Sequence, residues 1–268
     1  MNGLNFQVDK NKCIKCGQCI KDCSTCNIKF DDDGYPFAIE NTCFGCQHCL
    51  AICPVGAISV FDKNPENSAP NRQAVNPDDM MNLIENRRSC RHYKQENVNP
   101  ETIEKLKNML NWVPTGCNFK NLHFSIIENK DKMQNIREKL YAKLKFLLKF
   151  MPVKGRLKAY KSAILSGNDM ILRNAPHMIV VSVNKNAPCK NIDPIIALSY
   201  FELYAQTLGL GTLWCGLAYK TLPFCKEIMK ELEIPNTHEM AYVMLFGNPD
   251  VRYQRGIQPN YYNIISIK

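Results

Sequence analysis

The sequence predicts an α+β protein in two domains, and three observations carry that reading. A cysteine spacing repeats within the first 53 residues, a polar, proline-bearing stretch follows it, and the helices and strands beyond succeed one another without regular βαβ alternation. Of the 268 residues, a small cysteine-rich module at 1–62 and a linker at 63–77 leave 78–268 for a domain large enough to bury an apolar core.

The module comes first. Cys13, Cys16, Cys19 and Cys23 are spaced x2, x2, x3, and Cys43, Cys46, Cys49 and Cys53 repeat that spacing thirty positions later, ending in Pro54. Phe6–Val8 and Ala57–Val60 bracket the repeat as paired edge strands, and Asp31-Asp32-Asp33-Gly34 supplies turn chemistry between its halves. Eight thiolates at this spacing can wrap two cubane clusters, three close cysteines and one distant one to each. Structural zinc takes two C-x2-C pairs instead of triplets with a trailing fourth. Disulfides call for an oxidising compartment, whereas the first residues show neither a basic nor an apolar leader segment. A cytoplasmic, reduced setting is the expectation.

Residues 1–62 resemble two-cluster bacterial ferredoxins. The resemblance implies two 4Fe–4S clusters, with the fourth cysteine of each run crossing to the other cluster. Cys13, Cys16, Cys19 and Cys53 then ligate one centre, and Cys43, Cys46, Cys49 and Cys23 the other. The first run ends Cys23-Ser24 without proline, and Cys26 is the alternative ligand; the thirty-residue register favours Cys23 and leaves Cys26 as a spare buried thiol.

In the second domain, Asn76-Pro77-Asp78-Asp79 and Asn99-Pro100-Glu101 each place an N-cap, a proline at the first helical position and acid in the first turn. Strands are expected at Leu122–Ile127, His177–Val183 and Met240–Phe246, and helices near 130–150, 155–170, 193–208 and 224–233. No Gly-x-Gly-x-x-Gly follows a strand, which argues against a dinucleotide fold. Met80, Met81 and Met109 fall at helical spacing and read as core. Met133, Met151 and Met170 flank a basic segment and read as a mobile lid.

Four separated segments carry a second resemblance: Arg87-Arg88-Ser89-Cys90-Arg91, Pro114-Thr115-Gly116-Cys117-Asn118, Leu208 through Leu217, and Phe246-Gly247-Asn248-Pro249 with Arg252 and Arg255 beyond. In that order they are similar to the FMN-dependent nitroreductase family over residues 78–268. The resemblance implies an FMN site. Arg87 and Ser89 grip the phosphate, Arg88 belongs to the same cofactor-binding segment, Arg91 reaches the pyrimidine edge, and Arg255 is a second phosphate cation, with Arg252 its substitute. It also implies a homodimer in which Pro114, Thr115, Gly116 and Asn118 reach the partner's flavin. Gly209, Gly211 and Gly216 let the backbone approach the ring, while Trp214, Cys215, Gly216 and Leu217 form the wall beneath it. The chemistry is carried by backbone and cofactor, so no catalytic side chain is expected.

The formal charge is +9, unevenly spread. Residues 1–62 hold five Lys against seven acidic residues, and between Lys139 and Lys161 there are eight basic residues and no acid. A nucleic-acid patch, a solvated helix face and steering of acidic carriers or anions are the three readings of that segment; with no nucleic-acid motif elsewhere, no nucleic-acid partner is expected. No apolar run reaches membrane-spanning length. His48 sits between Cys46 and Cys49 and reads as a surface residue. Cys90, Cys117, Cys189, Cys215 and Cys225 read as small buried thiols. The expected activity is passage of electrons from the clusters to FMN and on to a small electron-poor acceptor: a nitroaromatic, quinone, azo compound or activated alkene. Ferredoxin, flavodoxin or NAD(P)H is the donor. An electron-transfer adaptor and a reductive dehalogenase are the alternatives.

Overall fold

The thirty-residue cysteine repeat folds as a repeat. In the computed structural model, which describes residues 4–39, 43–72, 75–150, 152, 154–259 and 261–267, the chain divides into two units, Met1–Ala74 with Cys117–Phe119, and Val75–Gly116 with Lys120–Lys268. In the first, β1 (Gln7–Val8) precedes α1 (Gln18–Lys21), a hairpin of β2 (Ile28–Phe30) and β3 (Pro36–Ala38), then α2 (His48–Ile52) and β4 (Ile58–Ser59). Gly17 (φ 71°) and Gln47 (φ 59°), thirty positions apart, start the two short helices from the left-handed region. β1 pairs antiparallel with β4, Gln7 opposite Ser59 and Val8 opposite Ile58. Cys19, Ile28 and Ile58 form the small core, with Phe6, Ile20 and Ile52 against it. Residues beyond 62 also fold onto this unit, because Lys12 Nζ meets Glu66 Oε1 at 2.9 Å.

The second unit runs α3 (Pro77–Asn86), α4 (Pro100–Leu110), β5 (Leu122–Ile127), α5 (Lys130–Phe150), α6 (Arg156–Leu165), β6 (His177–Asn184), α7 (Asp193–Thr207), β7 (Gly211–Trp214), α8 (Gly216–Thr221), α9 (Lys226–Glu231) and β8 (His238–Gly247). The Asn-Pro starts work as caps: Asn76 Oδ1 accepts from Asp78 N and Asn99 Oδ1 from Glu101 N, both at 2.8 Å. α7 ends in a Schellman motif, Leu210 N donating to Ala205 O and Gly209 N to Gln206 O, with Gly209 at φ 77°.

The four strands form one antiparallel sheet in the order β5-β6-β8-β7. β6 is buried on both faces and reads as a continuous apolar run for that reason. Ile179, Val181, Met244 and Phe246 pack with Leu198, Phe201 and Ala205 of α7 and Leu106 of α4. Met178, Val180, Val243 and Leu245 pack instead with Met133, Ile136 and Leu140 of α5. Each fully buried side chain of this size contributes about 1.5–3 kcal/mol.

Several expectations are corrected here. Met80 and Met81 are 38% and 52% exposed, because α3 turns its methionine face outward. Met133 is fully buried in the α5 core and is no part of a lid; Met151 lies outside the described residues. Cys26 and Cys117 are exposed, both at positive φ. β7 is a strand within the glycine-rich segment that was not among the expected strands.

Candidate cluster and flavin sites

Two hollows in the first unit each gather four sulfurs. One is lined by Cys13, Cys16, Cys19 and Cys53, with Ile14, Pro36, Val55 and Ile58 around them. The other is lined by Cys23, Cys43, Cys46 and Cys49, with Phe6, Ile28 and Phe61. Each therefore takes three cysteines from one run and the fourth from the other. Asn27 N donates to Cys23 Sγ at 3.3 Å and Ala57 N to Cys53 Sγ at 3.2 Å, an equivalence that again spans thirty residues. Cys26 lines neither hollow. Among the described residues no three His, Cys, Asp or Glu converge closely enough to hold a single metal ion. A cubane makes no such demand, since its ligands occupy separate corners. The donor set, all soft thiolates in apolar hollows, fits 4Fe–4S clusters. His48 is on the surface, its Nδ1 3.0 Å from Asp22 Oδ2.

In the second unit the Arg87–Arg91 segment leaves α3 and is anchored beside β7, with Ser89 bridged to Thr212 and Cys90 N donating to Thr212 O at 2.8 Å. Gly211 makes this approach possible: a Cβ there would stand 2.6 Å from both Cβ and Sγ of Cys90. Its missing side chain therefore serves protein packing at this point. Gly209 is likewise explained by its helix-terminal φ, while a Cβ on Gly216 would come within 3.2 Å of Tyr242 Oη.

Glu202 on α7 organises the neighbourhood, and nothing in the sequence reading singled it out. Its Oε1 accepts from Arg87 Nη1 at 3.1 Å and Thr212 Oγ1 at 3.2 Å, and its Oε2 from Trp214 Nε1 at 3.0 Å. The signal was there: an acid on the buried stripe of Leu198, Phe201 and Ala205 needs partners. Arg88 behaves differently from Arg87. Its Nη1 donates to Arg87 O at 2.5 Å, while its Nη2 is buried with no hydrogen-bond partner among the described residues. Arg88 lines a cavity of about 420 Å³ together with Arg252, Tyr253, Arg255 and the Gly209–Gly211 turn. Three arginines lining one cavity fit a phosphate dianion.

The other expected flavin residues scatter. Arg91 is exposed, its Nη1 3.4 Å from Ser89 O, and Tyr253 Oη donates to the same carbonyl. Pro114 is exposed, Thr115 Oγ1 accepts from Lys120 N, and Gly116 N donates to Asp193 Oδ1. Asn118 belongs to the first unit, where its Nδ2 donates to Phe44 O at 2.9 Å. The Cys215 thiol is 4% exposed, donates to Ile171 O, caps α8 by accepting from Ala218 N, and is pushed up to about 11 by burial. Leu217 packs on the α5 core, and Trp214 stands edge-on to Tyr242. The turn opposite Cys215 is held by Asp169, which accepts from Arg137 Nε, Tyr141 Oη, Leu172 N and Asn174 N.

Residues 84–248 match the nitroreductase family. The chain belongs to that family. Residues 6–60 match a 4Fe-4S dicluster domain, so the protein is an FMN-dependent nitroreductase-family oxidoreductase fused behind a ferredoxin domain. Iodotyrosine deiodinase of Thermotoga neapolitana is 25% identical over 172 residues, 64% of this chain and 89% of the deiodinase. A nitroreductase of Bacteroides fragilis with bound FMN superposes with a TM-score of 0.58 at 18% identity, over 72% of this chain and 100% of the other. A nitroreductase of Desulfitobacterium hafniense, also with FMN bound, gives 0.58 at 23% identity, over 70% and 98%. At those identities the two structures speak for the fold.

Proposed function

We propose that this enzyme passes electrons from two 4Fe–4S clusters, held by Cys13, Cys16, Cys19 and Cys53 and by Cys43, Cys46, Cys49 and Cys23, to FMN, and from FMN to a small electron-poor acceptor. The observation that carries the reading is the presence in one chain of two four-sulfur hollows and an arginine-lined cavity on a nitroreductase fold. Bound FMN supplies exchange of electrons singly or as a hydride. The chain's own residues bind and orient it: the cavity arginines meet its phosphate, and Glu202 fixes the Arg87 side chain and the Trp214 indole beside β7. In this reading the main-chain N–H groups following Trp214 face the flavin ring, and the acceptor class is nitroaromatic, quinone, azo compound or activated alkene.

A homodimer belongs to this reading. Tyr261, Tyr262, Ile264, Ile265 and Ile267 are between 75% and 95% exposed at the end of the second unit, and among the described residues β5 leaves one edge of the sheet unpaired. An apolar segment and an open strand edge of this kind call for a partner surface, and a second copy supplies both. Among the described residues no helix is long and apolar enough to cross a membrane.

Reductive removal of halide from an aryl substrate is the second reading, favoured by the likeness to iodotyrosine deiodinase along 64% of the chain. The test is stopped-flow mixing of anaerobically reduced protein with nitroaromatics, quinones, azo compounds, activated alkenes and halophenols. Fast oxidation by the first four supports the main reading, halide release supports the second, and oxidation by none of them leaves an adaptor for another redox protein. Reduced ferredoxin, flavodoxin and NAD(P)H are compared as donors in the same instrument.

A further inference from the structure

We infer, resting on the cluster reading above, that Asn118 is a positioning residue for the centre held by Cys43, Cys46, Cys49 and Cys23. It acts through a peptide plane that joins its side chain to a ligand sulfur. Cys117–Phe119 belongs to the first unit, and there Asn118 Nδ2 donates to Phe44 O at 2.9 Å. Phe44 O and Gly45 N are the two ends of one planar peptide group, so holding the carbonyl fixes the direction of the N–H. Gly45 N in turn donates to Cys43 Sγ at 3.4 Å. Asn118 thus grips one end of a rigid plane whose other end donates to a cluster ligand. Donation to the carbonyl also polarises the peptide and strengthens its N–H as a donor.

The backbone on both sides is shaped to this contact. Gly45 stands at φ 65°, and a Cβ there would lie 3.8 Å from Asn118 Nδ2 and 3.7 Å from the Phe61 ring, so both groups pack over bare backbone. Cys117 and Asn118 are themselves left-handed, at φ 53° and 51°, a conformation that Asn tolerates and Cys rarely adopts. The thirty-residue repeat supplies an internal comparison. Lys15 is the counterpart of Gly45 and shares its conformation, at φ 55°. Its Nζ donates to Asp33 O at 2.7 Å and lies over the Tyr35 ring. The loop of the first run is therefore braced from the β2–β3 turn, and that of the second run by a residue from beyond the linker. An N–H donated to a ligand sulfur stabilises added negative charge and so raises the reduction potential of its centre. Asn118 holds the potential of the second centre above the value it would take without that bond.

The experiment uses the full chain, reconstituted anaerobically, with the midpoint of each centre read by electron paramagnetic resonance during a redox titration. Cys46→Ser, which replaces a sulfur ligand of the same centre, identifies the midpoint that belongs to it. Asn118→Ala is expected to keep about eight irons and to lower that midpoint while leaving the other in place. The ratio of reduced to oxidised centre at a fixed potential should fall by up to about tenfold, equivalent to about 59 mV for one electron. Asn118→Asp, which sets a carboxylate against the Phe44 carbonyl, should lower the midpoint at least as far. Asn118→Gln, which keeps the amide donor, should recover part of the shift. If Asn118→Ala loses iron, the Gln and Asp variants carry the comparison. Unmoved midpoints, or an equal shift of both centres, overturn the inference. Weaker FMN binding in the variants with both midpoints unmoved returns Asn118 to the flavin and leaves the cluster reading intact. Zinc, or a single cluster, in reconstituted wild type overturns both.

Discussion

The buried imidazole of His177 accepts a hydrogen bond from the backbone N–H of Val98 at 2.9 Å. Its other nitrogen, Nδ1, is 3.2 Å from Ile127 O and must donate to it, so the neutral Nδ1–H tautomer joins β6, the end of β5 and the segment before α4. Burial pushes this imidazole below its ordinary value, with the Ile127 carbonyl and Glu128 pulling weakly the other way. A depressed folded value means that the unfolded chain takes up the proton first. Stability is therefore full above the unfolded value of about 6.5 and falls as pH drops below it, by at most about 1.4 kcal/mol per pH unit. We expect the melting temperature of the flavin unit to fall between pH 7 and 5.5 and His177→Gln to flatten that slope, whatever its effect at pH 7. An unchanged slope in the variant would assign the acid sensitivity elsewhere.

Cys23 and Cys26 make opposite predictions about iron. Cys23 lines a hollow with Cys43, Cys46 and Cys49 and receives the Asn27 N–H; Cys26 is exposed at φ 52° and lines none. Protein prepared without oxygen should hold about eight irons and eight acid-labile sulfides per chain. Cys26→Ser should leave both counts unchanged, whereas Cys23→Ser should destabilise one centre and lower them toward four. Zinc in place of iron would remove the cubane assignment altogether.

The contact between Gly211 and Cys90 can be tested by filling it. Gly211→Ala would put a Cβ at 2.6 Å from Cys90 Cβ and Sγ, and overpacking of this kind costs about 1–3 kcal/mol. Thermal melting should show a loss of several degrees, since about 2–8 °C accompanies each kcal/mol in domains of this general size. Adding Cys90→Ala should not rescue the variant, because the Cβ–Cβ clash remains; Cys90→Gly should recover part of the loss. Full rescue by Cys90→Ala would place the strain on sulfur alone.

What the sequence displayed and what it hid divide along physical lines. Local signals were legible: Asn76 and Asn99 cap their helices as their spacing implies, and the thirty-residue register reappears in Gly17 and Gln47 and in the amides facing Cys23 and Cys53. Partners were not legible. Periodicity places Met80 and Met81 on a face but does not say whether anything covers it, and they stay exposed. β7 was hidden because Gly211, which lets Cys90 approach, also makes the strand resemble a loop. A family motif names Arg87 and Cys215 together with their neighbours, yet Glu202 and Ile171 decide where those side chains turn.

The last prediction concerns whether the clusters are wired to the flavin. The cluster-bearing residues 1–62 are slightly acidic, and the remainder carries 29 basic against 18 acidic residues. A linker of about fifteen residues or fewer keeps the two units near millimolar effective concentration of one another. Opposite charge adds to the encounter rate of separated partners. A protease site placed within residues 68–72 allows one preparation to be compared intact and cut. With a low-potential donor reducing the clusters, flavin bleaching should be faster in the intact chain than in the cut chain diluted to micromolar concentration. Salt should slow the cut form more, because screening acts on the encounter step that the tether replaces. Equal rates after cutting and dilution would show that the flavin draws its electrons from another donor, with NAD(P)H the first to try.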